Sequence, residues 1–310
     1  MSAPRIVHST LGTNFPVRTG TLKPDPPVGG GMLPPVADGF VAGEEPATAF
    51  EHTRRANEDG VAVILNLLGE HYHERAPADA DTAAYERLIA DLGGSDLDGC
   101  VSVKPSQLGI DVGPEVFAEN YRRVVTAGAT HDVFVWCDME DATTTDTTLD
   151  AFETLATEYD GGVGLCVQAN LRRTRADLER LAGIPGKIRL VKGAYEEDEE
   201  IAYTEKPAVD EAYRENLTYL FKHREGGIGV GSHDPEMIAY AEELQARYGA
   251  DFEIQMLMGV REDAQRRLAA EGHEVWQYAP YGDRWLSYLY RRVRERKENL
   301  TFAARAVLGV

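Results

Sequence analysis

Eight short apolar runs punctuate the chain: VAVILNLLGE (61–70), CVSVKP (100–105), DVFVWCDME (132–140), GVGLCVQAN (162–170), IRLVKGAY (188–195), GIGVGSHD (227–234), DFEIQMLMG (251–259) and EVWQYAPYG (274–282). Most are apolar almost without interruption, the pattern of parallel strands covered on both faces. Between them lie segments of helical period: AAYERLIADL, PEVFAENYRRVV, TTLDAFETLATEY, RADLERLA, DEAYRENLTYLFKH, PEMIAYAEELQARY and EDAQRRLAAEG. Successive runs begin 23 to 39 residues apart, which suits βα units with right-handed crossovers. Eight such units predict a closed α/β barrel of the (β/α)8 TIM type rather than an open doubly wound sheet. No G-x-G-x-x-G follows the first run, as an open dinucleotide-binding sheet would usually have. A helix at about 47–58 precedes the barrel, and another at about 283–296 follows its last strand. Residues 1–35, containing KPDPPVGGGMLPP, lack apolar periodicity and are expected to form a disordered or loosely docked extension, with the barrel domain spanning 36–310.

Composition narrows the class. The chain has 310 residues, 43% of them hydrophobic and 27% charged, enough for a sizeable core. No apolar run reaches the length that spans a bilayer, and the N-terminus lacks a secretory h-region, so a cytoplasmic location is expected. Cys100, Cys137 and Cys166 lie inside apolar runs without zinc spacing, and read as buried free thiols. The formal charge of −20 disfavours a nucleic-acid partner, which needs a cationic footprint. Only seven of the 32 cations are lysines, and an acidic, lysine-poor surface suggests a halophilic protein whose self-repulsion is screened by salt. On that reading stability against denaturant rises from dilute buffer to molar salt; equal stability in both would overturn it.

In a barrel, polar residues at the carboxyl ends of strands are the first functional candidates. This chain offers Glu70, Lys104, Asp138 with Glu140 and Asp141, Gln168, Arg189 with Lys192, His233 with Asp234, Gln255 and Tyr278. A lone His is more often a hydrogen-bonded structural residue, but cations inside strands must meet an anion or remain costly. Two readings compete. Asp138, Glu140, Asp141, Glu70 and His233 could hold a divalent metal, as in barrel lyases and isomerases. Strand alternation would however put Asp138 and Glu140 on one side with Met139 and Asp141 on the other. Lys104, Arg189, Lys192, Arg291 and Arg292 crowd the same rim with positive charge, favouring an anionic organic cofactor and a small carboxylate. Arg291 and Arg292 could be a solvated basic helix end, yet they follow the aromatic stretch WLSYLY, as a ligand clamp would.

VSVKPSQLG, DMED, QANLRRT, RLVKGAYEE, GSHD, FEIQMLMG and YAPYGDRWLSYLYRR together resemble the signature segments of the proline dehydrogenases, in order and with family-like spacing over roughly residues 40–310. The chain is similar to the monofunctional members rather than the long bifunctional ones. The resemblance implies FAD-dependent oxidation of L-proline to Δ1-pyrroline-5-carboxylate by hydride transfer to flavin N5. The electrons would pass to a membrane quinone, with functional coupling to a pyrroline-5-carboxylate dehydrogenase and peripheral contact at the inner face of the membrane. It also implies that Lys104, Arg291 and Arg292 hold the proline carboxylate, that Asp138 sits in the active site, and that Arg189 lies near flavin N5. Tyr195, Leu257, Tyr278 and Tyr288 would wall the pyrrolidine ring. Met139, Gln168, Val191, Lys192, Gly193, Ala194, Ser232, His233, Gln255 and Glu295 would bind the cofactor, small Gly193 and Ala194 letting the backbone approach it. The final helix would then lie over the barrel mouth.

Some positions depart from the family pattern. Ser232 stands where Thr is frequent, Pro105 where Leu is usual and should bend the strand end, and Glu196 where bifunctional members have Trp. The loop EEDEE (196–200) is more acidic than its counterparts. A methylenetetrahydrofolate reductase-like flavin barrel is the nearest alternative, although an arginine pair suits a small carboxylate better than a folate.

Overall fold

Eight parallel strands, paired in sequence order, close into a barrel in the computed structural model, which describes residues 39–286 and 288. The strands are β1 (Ala62–Leu67), β2 (Gly99–Val103), β3 (Val135–Cys137), β4 (Val163–Gln168), β5 (Lys187–Val191), β6 (Ile228–Gly231), β7 (Phe252–Leu257) and β8 (Val275–Tyr281). All eight expected strands are present, each shorter than its apolar run. The residues trimmed from their carboxyl ends become the loops of the barrel mouth.

The helices are α1 (Pro46–Glu58), α2 (Arg75–Gly93), α3 (Pro114–His131), α4 (Thr145–Glu158), α5 (Thr174–Arg180), α6 (Lys206–His223), α7 (Pro235–Tyr248) and α8 (Glu262–Ala270). Pro46, Pro114 and Pro235 open their helices, where a missing N–H costs nothing and the fixed φ is already helical. At α7, Asp234 caps the start by accepting from Glu236 N at 3.0 Å, and Gly249 ends the helix at φ +77°. Helix α2 starts at Arg75, eight residues before its apolar period begins at Ala83. Pro77 falls in the first turn, whose N–H groups have no partner within the helix anyway, so it does not interrupt.

The strands face two different environments. Outward positions such as Val63, Leu65, Val101, Val135, Leu165, Leu190, Val230 and Ile254 are fully buried beneath the helices and form the main apolar core. Register puts Ile64, Trp136, Gly164, Lys187, Arg189, Gly229, Glu253 and Tyr278 on the inner face. The interior is thus filled by aromatic rings and charged side chains rather than by aliphatic layers. Gly164 admits this arrangement, since a Cβ there would stand 2.5 Å from the Trp136 ring. All three cysteines are free and buried, as expected.

An N-terminal strap completes the mouth. Ala42 N donates to Pro280 O at 2.8 Å, and Gly282 N to Gly43 O at 2.9 Å. Phe40 and Val41 pack with Leu68, Trp285 and Tyr288, while Trp285 Nε1 donates to Glu44 Oε1 at 2.9 Å. Residues 1–35, and the expected final helix beyond Tyr288 with Arg291, Arg292 and Glu295, lie outside the described residues.

Candidate active site

The DMED segment does not continue β3, which ends at Cys137. The expected alternation nonetheless carries on past Cys137, with Asp138 turned to the barrel interior and Met139 to the outer core. Asp138 N still donates to Val103 O at 2.8 Å, Met139 is buried in the main core, and Asp141 instead caps a short helical turn by accepting from Thr143 N. The Asp138 and Glu140 carboxylates have different partners. Glu140 turns to Ser106, whose N and Oγ donate to it at 2.6 and 2.8 Å, and Tyr195 OH donates at 3.4 Å. Burial raises the pKa of Glu140, with Lys104 and Ser106 opposing the rise. Among the described residues no group of three His, Cys, Asp or Glu side chains could hold a metal ion.

Asp138 is the hub of the mouth. Its carboxylate accepts from Ser102 Oγ at 2.7 Å, Tyr278 OH at 2.7 Å and Lys104 Nζ at 3.1 Å, and it pairs with the Arg189 guanidinium. Burial alone would raise its pKa, but Lys104 and Arg189 outweigh that and hold it at about 2. The same carboxylate outweighs the burial penalty on Lys104 and keeps the ammonium protonated well above its usual range. Burial and the Asp138 charge push the Tyr278 phenol up, so it stays a donor. Arg189 also lies 4.9 Å from the Trp136 ring centroid and donates through Nη1 to Gln255 Oε1 at 2.9 Å. Two cations face one anion here. Lys104, 20% exposed against 4% for Arg189, carries the excess positive charge toward the mouth.

The remaining expected cofactor residues lie across the mouth. Gln168, Val191, Gly231 and Gln255 are register neighbours on β4 to β7, with Gly193, Ala194, Ser232 and His233 in the loops that follow. Lys104 and Asp138 directly follow β2 and β3, and Tyr278 lies on β8, so the two sets form opposite arcs joined by Arg189. Gln168 Nε2 donates to Glu140 O at 2.8 Å, and His233 Nε2 accepts from Leu257 N at 2.7 Å. Lys192 turns away to the helices, with its ammonium 2.5 Å from Asp210 and 2.8 Å from Asp234. Tyr288 packs in the strap cluster with Leu68 and Trp285.

The cofactor arc suits a flat, polar-edged ring system. Both inward positions of β6 are glycines, and a Cβ at Gly231 would stand 2.6 Å from Val191. Gly193 has φ +115°, and the Asn170 amide fills the place of its missing Cβ. That backbone requirement is a second reason for Gly193, besides the close approach expected from sequence. Asn170 is 7% exposed, and its Oδ1 has no hydrogen-bond partner among the described residues, leaving an acceptor open for a ligand N–H. Asn170 and Ser102 were not among the expected site residues. Ser102 was detectable, because it precedes Lys104 by two and so shares its strand face. Asn170 carried no comparable signal, since its isolation depends on how β4 and β5 meet.

Comparison with known proteins gives the same direction. The family model described as proline dehydrogenase matches residues 49–305. The chain is 34% identical over 282 residues to proline dehydrogenase of Deinococcus radiodurans, covering 88% of this chain and 90% of that protein. It is 32% identical over 267 residues to proline dehydrogenase 2 of Bacillus subtilis, covering 85% and 88%. Among solved structures, proline utilization A (PutA) from Bdellovibrio bacteriovorus superposes with a TM-score of 0.76 at 24% identity, over 83% of this chain and 32% of that longer one. PutA from Corynebacterium freiburgense gives 0.71 at 25% identity, over 84% and 31%. With the barrel, the cationic mouth and these matches together, the chain belongs to the proline dehydrogenase family, flavin-dependent enzymes that oxidise proline in the first step of its catabolism.

Proposed function

We propose that the flavin is FAD, that the product is Δ1-pyrroline-5-carboxylate, and that the electrons pass on to a membrane quinone. One observation supports the assignment of the substrate site: Lys104 and Arg189 share the single Asp138 carboxylate, and Lys104 is the more exposed of the two cations at the mouth. An ammonium so placed suits an anion, and a small carboxylate supplies one. Lys104 binds the proline carboxylate together with Arg291 and Arg292. Tyr195, Leu257, Tyr278 and Tyr288 enclose the ring and keep water from it. Asp138 is catalytic through placement. With its pKa at about 2 and four donors already on its oxygens, it cannot take the proton from the substrate amine. It fixes Lys104, Tyr278 and Arg189 instead.

When bound, FAD supplies the two-electron acceptor for hydride leaving proline Cδ. Arg189 directs positive charge toward it. Gln168, Val191, Gly193, Ala194, Ser232, His233, Gln255 and Glu295 bind it, and Met139 and Lys192 add main-chain contacts, their side chains being engaged in the core and by carboxylates. Among the described residues no helix is long and apolar enough to cross a membrane. The proposal places the protein in the cytoplasm, meeting the quinone at the bilayer surface. Coupling to a pyrroline-5-carboxylate dehydrogenase would consume the product. The test is direct: the purified protein is expected to be yellow, with flavin absorbance that L-proline bleaches anaerobically. A colourless preparation that needs Mg²⁺ or Mn²⁺ for activity would overturn the assignment.

A further inference from the structure

Below the mouth the barrel interior holds a second set of charges. Glu253, the second residue of β7 and 3% exposed, pairs with Lys187 at the start of β5. It faces the barrel axis, since register places it beside Gly229 and, two residues on, Gln255 beside Gly231. Two residues along a strand span about 6.7 Å, so Glu253 lies one layer beneath Gln255. The layers are wired together. Gln255 Nε2 donates to Glu253 Oε1 at 2.5 Å, Gln255 Oε1 accepts from Arg189 Nη1 at 2.9 Å, and Arg189 Nη2 reaches Asp138. The chain Lys187–Glu253–Gln255–Arg189–Asp138 thus runs from the barrel floor to the mouth.

We infer that Glu253 is a positioning residue for the reaction, acting through the Gln255 amide to hold Arg189 in place. The inference rests on the reading above that Arg189 faces the cofactor. An amide can present either its oxygen or its NH2 group, and the two are nearly isosteric. The Glu253 carboxylate accepts but cannot donate, so the NH2 of Gln255 must point down and its oxygen must point up. Only that orientation lets Gln255 accept from Arg189 Nη1. Lys187 occupies the other carboxylate oxygen, and the two acceptor oxygens of Glu253 therefore have separate duties. A simple floor plug would need the Lys187–Glu253 pair but not the directed bond to Gln255.

Glu253→Gln tests this, because it keeps the shape and leaves a single oxygen. Lys187 competes for that oxygen, and the NH2 of the new glutamine then faces Gln255. The Gln255 amide turns over, its NH2 opposes the guanidinium, and Arg189 moves. Expected are retained flavin content, an altered visible flavin spectrum, a more negative flavin potential, and proline-driven bleaching slowed at least ten-fold per bound flavin. Removing the competitor in Lys187→Met/Glu253→Gln returns the oxygen to Gln255 and should restore most of the rate and the potential. A Glu253→Gln protein with parental spectrum, potential and rate per flavin overturns the inference, whatever its stability. So does a double variant as slow as the single one. Failure of the unaltered protein to bleach with proline would instead strike the assigned function, and shows before any variant is made.

Discussion

Asp138→Ala is expected to lower proline turnover by at least about 100-fold and to destabilise the fold by about 3–5 kcal/mol, the scale of breaking a buried ion pair from one side. Both effects have one cause. Four donors converge on this carboxylate, and without it Lys104 and Arg189 are neighbouring cations with no anion between them. Asp138→Asn separates charge from shape, since it keeps an acceptor for Ser102 or Tyr278 while losing the ion pairs. The pH dependence has a definite sign. The folded pKa, about 2, is depressed below the ordinary 3.8, so the ionised carboxylate stabilises the native state. That contribution, about 2 kcal/mol, is fully present above pH 4 and is lost as the pH falls through about 2. Denaturant unfolding at successive pH values should show this loss in the unaltered protein and not in Asp138→Asn. Turnover by Asp138→Asn at the unaltered rate would show that the hub does not organise the site.

Arg291→Ala or Arg292→Ala should weaken proline binding by about 2–5 kcal/mol, as when one partner of a buried charge pair is truncated. Equilibrium titration with proline under anaerobic conditions measures the affinity, and absorbance measures flavin content. The content should stay nearly unchanged, because most of the residues proposed for the cofactor lie on or just after β4 through β7. Loss of flavin in both variants with proline affinity retained would count against the carboxylate clamp. The proposed clamp would complement Lys104 in a specific way. One ammonium supplies a point charge, whereas a guanidinium pair adds two-pronged hydrogen bonding that fixes the orientation of a planar carboxylate.

The barrel was legible because eight nearly continuous apolar runs at βα spacing leave little else for the chain to do. Their ends were less legible. DVFVWCDME reads as one strand, yet the regular strand covers only Val135–Cys137, with one further backbone bond from Asp138 N to Val103 O before Glu140 turns to Ser106. Helix α2 was read short because RAPADADT has no apolar stripe, although its polar first turns continue the same helix. Motif position anticipated Asp138, Lys104, Arg189 and Tyr278 as site residues, and the fold brings these four into one cluster. It could not indicate that Asp138 is saturated by donors, which follows only from distances.

Taken alone, the sequence determined the strands, the order of the βα units, the acidic surface and the residue types at each strand end. Those properties are local, set by the period of apolar residues and by side-chain chemistry. Tertiary structure alone decided which charges meet. Lys104 and Asp138 are 34 positions apart, Asp138 and Arg189 51, and Arg189 and Gln255 66. Closing the barrel sets the strand stagger, and with it which inward side chains share a layer. The interior path from Lys187 to Asp138 exists for that reason. No stretch of sequence contains it, because an ion pair across a barrel is fixed by register rather than by neighbours in the chain.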